Sequence, residues 1–211
     1  MVNGLLDAPE KEVHKINPNE PTLYKTSVVE KKEDGSFIKV YYPRKRIISK
    51  TLTILLIEDS KKVNEQREKV VQLVNALNKA SDLLSIMTYQ DIVQEIDVMD
   101  WIMREEPVFF YEKSCFFDAI LEVEKLVLSK YLTTETIGTE EVRIDAIEII
   151  GIGTGTDNAS VASKEQALDS FSRISLRQKV VTKYYCLEDQ YFMGPAEIGF
   201  HSIGSISRAY Q

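Results

Sequence analysis

Acidic, hydroxyl and basic side chains that could bind a ligand are concentrated in three short segments of the sequence. These segments are Glu58-Asp59-Ser60-Lys61-Lys62, then Lys113-Ser114-Cys115, and finally Gly153-Thr154-Gly155-Thr156-Asp157-Asn158. Carboxylate and hydroxyl oxygens are the ligands that a hard divalent ion such as Mg²⁺ takes in proteins, whereas a lysine offers only a positive charge. The segments therefore contain the residues for a cation site or for a charged binding surface.

Alternating strand and helix patterns surround these segments. An apolar run at residues 52–57 has the length of a strand buried on both faces, and residues 63–77 repeat apolar side chains at helical spacing. A strand is predicted at 83–88, a helix at 91–103 with Ile92, Ile96, Met99 and Met103 on one face, and a helix at 116–131. A polar connection at 133–141, a strand at 144–152, a helix at 162–172, a strand at 180–187 and a helix at 196–207 follow.

Strands that alternate with helices imply right-handed crossovers and a mostly parallel sheet with helices on both faces. The sequence therefore predicts an α/β three-layer sandwich. In such sheets ligands bind beyond the carboxyl ends of the strands, because loops and helix N-termini converge there. All three segments are expected to lie at that edge.

The residues before the predicted sheet form an extension. Residues 1–21 are polar and contain three prolines, which indicates an irregular arm. Residues 22–48 contain two alternating apolar and polar runs on either side of Asp34-Gly35, which predicts a β-hairpin followed by a basic linker. The chain has 211 residues and is 44% hydrophobic, enough for one well-buried core, which we assign to residues 49–211.

The first two segments resemble the von Willebrand factor A (vWA) family. In that family an Asp-x-Ser-x-Ser motif ends the first strand, a later loop adds a Thr before a helix, and a third loop adds an Asp. Glu58 matches the Asp, Ser60 the first Ser, Lys62 the second Ser and Ser114 the Thr, and Phe117-Asp118-Ala119-Ile120 is similar to the helix start that follows. The resemblance covers about residues 50–200 and implies a vWA/Rossmann-like fold that binds another protein at the strand ends.

The third segment can be matched to the family in two ways. Thr156-Asp157 resembles the family's Thr-Asp-Gly turn, which would make Asp157 the remaining acidic ligand. Alternatively, Ile150-Gly151-Ile152-Gly153 resembles a strand one step later in the family's sheet, and the metal-binding Asp is then absent. The short stretch between Leu132 and Val142 leaves little room for an extra strand and helix, which favours the first match.

The resemblance implies a divalent ion held by Glu58, Ser60, Ser114 and Asp157. Lys62, however, would place an ammonium group where the family has a coordinating hydroxyl. We therefore expect a degenerate, metal-free adhesion site with no cofactor, in which Lys62 pairs with Glu58 or Asp157. A Mg²⁺-dependent binding domain is the alternative.

Three catalytic or nucleotide-binding alternatives are less well supported by the residues. Ile54-Leu55-Leu56-Ile57-Glu58-Asp59 also resembles the start of a response-regulator receiver, but Asp97 and Asp100 fall in a helical pattern where a phosphoacceptor should end a strand. Gly151-Ile152-Gly153-Thr154-Gly155 lacks a Gly-Lys-Ser/Thr ending and is interpreted as a tight strand-to-helix turn. A hydrolase would need a base, yet His14 lies in the arm, His201 in the last predicted helix, and Cys115 has no histidine nearby in the sequence. We therefore expect that the protein is not an enzyme.

The composition limits the cellular location and the binding partners that the protein can have. The net charge of −7 disfavours binding to nucleic acid, and no apolar run approaches the roughly 20 residues of a membrane helix. Cys115 and Cys186 are far apart in sequence, as expected for reduced cysteines in the cytoplasm. The sequence thus predicts a cytoplasmic binding or scaffold module whose partner is another protein, with homo-oligomerisation through the arm and hairpin as a further expectation.

Overall fold

A computed structural model of the protein describes residues 25–43, 46–104, 113–131, 136–137, 140–187 and 193–202. The predicted arm at residues 1–21 lies outside the described residues. The strands are β1 (Lys25–Lys31), β2 (Phe37–Pro43), β3 (Arg46–Glu58), β4 (Leu83–Tyr89), β5 (Val93–Ile96), β6 (Thr136–Ile137), β7 (Glu140–Gly153), β8 (Lys179–Cys186) and β9 (His201–Ser202). The helices are α1 (Lys61–Glu65), α2 (Arg67–Ala80), α3 (Val98–Met103), α4 (Phe116–Leu126), α5 (Lys164–Ser175) and α6 (Met193–Glu197), with a π-helical turn at Val127–Tyr131.

The chain divides into two units, Met1–Ile48 with Glu135–Val142, and Ser49–Thr134 with Arg143–Gln211. In the first unit, β1 and β2 pair antiparallel from Lys25↔Pro43 to Lys31↔Phe37. Gly35 has a φ of 82°, and Asp34 Oδ1 accepts hydrogen bonds from the Ser36 backbone N–H at 2.8 Å and hydroxyl at 2.6 Å. The predicted hairpin is therefore confirmed, because Asp34-Gly35 supplies the turn chemistry.

The prediction of a polar connection at 133–141 is wrong where the structure describes that stretch. β6 pairs antiparallel with the first residues of β7, with Thr136 opposite Glu141 and Ile137 opposite Glu140. These residues lack the apolar alternation on which strand prediction depends, so no local pattern indicates the pairing.

The second unit contains the main sheet, whose strands follow the order β5-β4-β3-β7-β8-β9. β3 and β4 are parallel, with Leu52 opposite Leu83, and β7 runs parallel to β8, which runs parallel to β9. β5 is antiparallel to β4 at the edge. The α/β class with a mostly parallel central sheet is confirmed.

Helices cover both faces of this sheet. Successive side chains of a strand point to opposite faces, and in β3 Leu52, Ile54 and Leu56 pack with α4 and α5 whereas Leu55 and Ile57 pack with α2 and α3. All five side chains are essentially inaccessible to solvent. Burial on both faces explains why residues 52–57 are continuously apolar, and it completes the predicted three-layer sandwich.

The predicted helix at 91–103 is wrong in its first half. Residues Val93–Ile96 form β5, and α3 starts only at Val98 because the Asp97 carboxylate caps it, accepting from the backbone N–H of Met99 at 2.7 Å and of Asp100 at 3.4 Å. Ile92, Met99 and Met103 are exposed rather than aligned on one buried face. Their helical spacing was coincidental.

The last predicted helix, at 196–207, is wrong after Glu197 in the part that the structure describes, and residues 203–207 lie outside it. α6 ends at Glu197, Gly199 has a φ of 91°, and His201 lies in β9 opposite Lys183. Gly199 can adopt this left-handed conformation without steric cost, which ends the helix. The longest helix that the structure describes, α2, has 14 residues, and no described helix combines the length and the apolar character needed to cross a membrane.

Candidate functional site

The strand order reverses between β3 and β7. The strands that follow β3 in sequence, β4 and β5, lie on one side of it. β7 lies on the other side of β3, and β8 and β9 follow beyond β7. In open α/β sheets the crevice at such a reversal, beyond the carboxyl ends of the strands, is where ligands bind. β3 ends at Glu58 and β7 at Gly153. We call the surface formed by residues 58–62, 113–115 and 153–158 the strand-end face.

Glu58 is the centre of a hydrogen-bond network that joins the three segments. Its side chain is only 3% exposed. The Thr154 backbone N–H donates to Glu58 Oε2, and the Thr154 hydroxyl donates to Oε1 at 3.0 Å. The hydroxyls of Thr154 and Thr156 are 3.0 Å apart, and the Ser114 hydroxyl donates to the Thr156 carbonyl at 2.8 Å. The structure therefore brings Glu58, Ser114 and Thr156 together, as the strand-end argument predicts.

Ser114 is also bound to the third segment through its backbone. Its N–H donates to Asn158 Oδ1 at 2.7 Å, while its carbonyl accepts from the N–H of Asn158 at 2.9 Å and of Ala159 at 3.0 Å. Thr154 and Asn158 were not among the predicted site residues. Their position beside Asp157 in a loop that follows a strand was the available signal.

Asp157 lies at the N-terminus of α4. Cys115, the N-cap residue, makes no side-chain capping bond, and Asp157 Oδ1 accepts from the Phe117 N–H at 3.3 Å. A carboxylate is favourable at this position because the first turn of a helix has unsatisfied N–H groups. Burial nevertheless raises the pKa of Asp157 to about 6, and the nearby carboxylates of Asp118 and Glu197 add to that rise.

Asp118 holds the next part of the same loop. Its two carboxylate oxygens accept from the backbone N–H groups of Val161 at 3.0 Å and Ala162 at 2.9 Å. Its own N–H donates to the Ser160 hydroxyl at 3.1 Å. The start of α4 and residues 157–162 are therefore fixed to one another by hydrogen bonds in both directions.

Asp59 connects the first segment to the end of α3. Arg104 Nη2 lies 2.5 Å from both carboxylate oxygens of Asp59, and the Asp59 N–H donates to the Tyr89 carbonyl at 2.8 Å. Arg67 in turn donates to the carbonyls of Trp101 at 2.8 Å and Arg104 at 2.9 Å. Neither arginine was predicted as a site residue, because the pairing spans 45 positions in sequence.

The remaining predicted residues of the first segment lie on α1. Ser60 is the N-cap of α1, and its hydroxyl accepts from the Val63 N–H at 3.4 Å. Lys61 and Lys62 are exposed. Lys62 Nζ lies 4.0 Å from Glu65 Oε2 on α1, and its expected pairing with Glu58 or Asp157 stays a prediction. Backbone N–H groups donate hydrogen bonds to the carboxylates of both Glu58 and Asp157.

Two glycines at the end of β7 are required by close packing. A Cβ on Gly153 would lie 2.2 Å from Glu58 Oε2 and 2.7 Å from the Tyr184 hydroxyl, and one on Gly151 would lie 2.2 Å from the Tyr184 ring. Tyr184 is itself fixed, because its hydroxyl is 2.8 Å from that of Tyr89 and accepts from Gly155 N at 3.2 Å. Of the three glycines between residues 151 and 155, Gly155 alone, with a φ of 81°, has the conformation expected of a turn glycine.

Within the part of the chain that the structure describes, no three His, Cys, Asp or Glu side chains are grouped so that they could hold a metal ion. No family model matches the sequence. No curated protein sequence matches it either. Among solved structures, the fold is similar to that of proximal thread matrix protein 1 from the mussel byssus, at 10% sequence identity and a TM-score of 0.48. The match covers 77% of this chain and 46% of the mussel protein, so the chain spans less than half of that structure.

Proposed function

We propose that this chain is a vWA-like interaction module that binds another protein at the strand-end face, without catalysis and without a divalent metal. The main support for this proposal is the hydrogen-bond network that runs from Glu58 through Thr154 and Thr156 to Ser114. It fixes three loops from distant parts of the chain into one surface. A preorganised surface loses less conformational entropy on binding, which favours recognition of a partner.

The metal-free part of the proposal rests on the donor set. A divalent ion needs oxygen atoms directed at one point. Both Glu58 oxygens accept from Thr154, the Ser114 hydroxyl donates to a carbonyl, and the Ser60 hydroxyl caps α1. Lys62 has no lone pair to offer while it is protonated. This use of the candidate ligands within the protein supports a site without a divalent ion. Ser60 and Ser114 support the loops, and Glu58 bridges β3 and β7.

Exposed apolar and basic side chains next to the network supply what a partner would contact. Val161 is 95% exposed and its N–H is held by Asp118, while Met193 is 70% exposed and precedes Gly194, whose N–H donates to the Gly155 carbonyl at 3.2 Å. Lys61 and Lys62 add positive charge on α1. Large apolar side chains held in an exposed position by rigid loops are typical of protein-binding surfaces.

Capture of partners from native lysate by the 211-residue chain tests this proposal. We expect Lys62→Glu and Val161→Asp each to abolish capture of a defined partner. The matched controls are Lys179→Glu, at the start of β8, and Leu176→Asp, whose side chain is 86% exposed after α5. Both controls lie at the opposite edge of the sheet and should capture the partner normally. Equal capture by all four variants would exclude the strand-end face and direct attention to residues 1–48.

Calorimetric titration with Mg²⁺ and Mn²⁺ tests the absence of a metal. We expect no low-micromolar binding to the wild type. Low-micromolar binding that Asp157→Ala abolishes would overturn the metal-free proposal and favour the Mg²⁺-dependent alternative.

Self-association through the first unit is a separate part of the proposal. A two-stranded hairpin such as β1–β2 is marginally stable alone, and an open strand edge can add to another sheet. Light scattering during size exclusion should give a larger mass for the full chain than for a chain beginning at Ser49. The variant Val29→Pro of the 211-residue chain, which removes one backbone donor within β1, should also lower the mass. Equal mass for all three proteins would argue against self-association.

A further inference from the structure

A cavity of about 340 Å³ lies beside the first residues of β4. The end of β4 contacts the strand-end face through the Tyr89 carbonyl, so the start of β4 lies at the opposite edge of the sheet. β5 pairs with β4 only as far as Ile86↔Ile96, and Leu84 and Ser85 therefore extend past the end of β5. The chain turns away there through Asp97 into α3, and the gap left behind is the cavity.

Two opposite charges face this cavity from different elements. Glu95 Oε1 accepts from the hydroxyl of buried Ser85 at 3.1 Å and from Lys130 Nζ at 2.8 Å. Lys130 belongs to the π-helical turn at the end of α4. Single π-helical turns within or after α-helices occur frequently at functional sites, because the extra residue redirects the side chains that follow.

A third charge and an apolar wall complete the lining. Asp97 caps α3 through backbone N–H groups, and among the described residues no lysine or arginine forms an ion pair with it. Leu84, Ile96 and Val98 are half-buried, pack largely against the core beneath α2 and α3, and contribute the smaller, apolar part of a mostly polar lining. The cavity therefore has one ammonium, two carboxylates and an aliphatic side.

We propose that the cavity binds a small zwitterion of the α-amino acid type with an aliphatic side chain. The ligand's ammonium would bind Asp97 and Glu95, its carboxylate would bind Lys130, and its side chain would contact Leu84, Ile96 and Val98. A ligand with only a carboxylate would meet two like charges, and one with only an amine would compete with Lys130. A volume near 340 Å³ is at the small end of the range for ligand pockets, which suits a single amino acid.

Titration of the ¹⁵N-labelled full chain with L-leucine tests the proposal. We expect saturable shifts of the backbone amides of Leu84, Ser85 and Val98. Two probes separate the charges, because 3-methylbutylamine lacks the carboxylate and 4-methylpentanoate lacks the amine. Each should bind at least about tenfold more weakly than leucine, since each leaves one charged contact unmade.

Variants with matched controls assign the contacts. Lys130→Met should weaken leucine binding about tenfold, whereas Lys125→Met, one turn earlier on α4 and paired with Glu122, should bind as the wild type does. Asp97→Asn should also weaken binding about tenfold while preserving the cap of α3, since asparagine caps helices well. Asp100→Asn is the matched control for Asp97→Asn and should bind leucine as the wild type does.

Absence of saturable shifts at these amides up to about 10 mM leucine would overturn the proposal. Wild-type affinity in both Lys130→Met and Asp97→Asn would overturn it as well. Neither result bears on the strand-end face, because the two sites lie at opposite edges of the sheet.

Discussion

Replacing Asp157 with asparagine should stabilise the protein at neutral pH, which is the reverse of what loss of a charged capping residue normally does. The ordinary pKa of an aspartate is 3.8, and burial beside Asp118 and Glu197 raises that of Asp157 to about 6. The folded state therefore binds the proton more tightly than the unfolded state. Stability falls as the pH rises from about 4 to about 6, because the folded protein must then hold an unfavourable charge.

The size of the effect follows from the pKa difference. A rise of this size is worth about 3 kcal/mol for a fully buried carboxyl. Asp157 is only half-buried, and solvent screening reduces the expected effect to about 1 kcal/mol. Asparagine keeps an oxygen that can accept from the Phe117 N–H. Asp157→Asn should therefore match the wild type at pH 4 and exceed its stability by about 1 kcal/mol at pH 7.

Asp118→Asn is the matched control and should have the opposite sign. Both Asp118 oxygens accept backbone N–H groups, and an amide would place its NH₂ group against one of these donors, which costs about 1–2 kcal/mol. Urea unfolding followed by the fluorescence of Trp101, the single tryptophan and a buried one, measures both variants. If Asp157→Asn destabilises the protein at pH 7 as Asp118→Asn does, or if its effect does not change with pH, the argument is refuted.

Three further substitutions test the packing of the strand-end face by urea unfolding. Gly153→Ala should lower the free energy of unfolding by about 3–5 kcal/mol, because its Cβ would displace Glu58 and break the Thr154 hydrogen bonds. Gly35→Ala, the control, should lower it by only about 1 kcal/mol because of its positive φ. Similar losses in the two variants would contradict the packing argument. Arg104→Lys should lower the free energy of unfolding by about 1 kcal/mol, since an ammonium cannot reproduce the guanidinium contact with both Asp59 oxygens. An unchanged stability would mean that solvent screens the Arg104–Asp59 ion pair. Tyr184→Phe should lower the free energy of unfolding by about 1–3 kcal/mol, because the Gly155 N–H loses its acceptor. An unchanged stability would mean that another group accepts from the Gly155 N–H.

The general architecture could be predicted because its signals are local. The continuous apolar run of β3 results from burial on both faces, and Asp34-Gly35 has turn chemistry that depends on only two residues. The convergence of Glu58, Ser114 and Thr156 followed from parallel strands ending at one edge. These inferences needed only the order of elements and the direction of the strands.

Other features depend on tertiary contacts that no local pattern encodes. β5 was predicted as helix because four apolar residues happened to have helical spacing, and only the cap by Asp97 shows where α3 begins. The partners of Asp59 and Glu58 are 45 and 96 positions away in sequence. The contact of Lys62 with Glu65 was not anticipated either, and it arises because residues three apart on a helix are neighbours.

The long sequence separation between Glu58 and Thr154 also affects when the strand-end face can form. Contacts between distant residues form late, because the chain between them must be ordered first. During synthesis Glu58 is made well before Thr154, and until β7 is complete the Glu58 carboxylate lacks the two donors that hold it. A partner that binds this face would therefore recognise only chains that have finished folding, and it would not bind truncated or nascent ones.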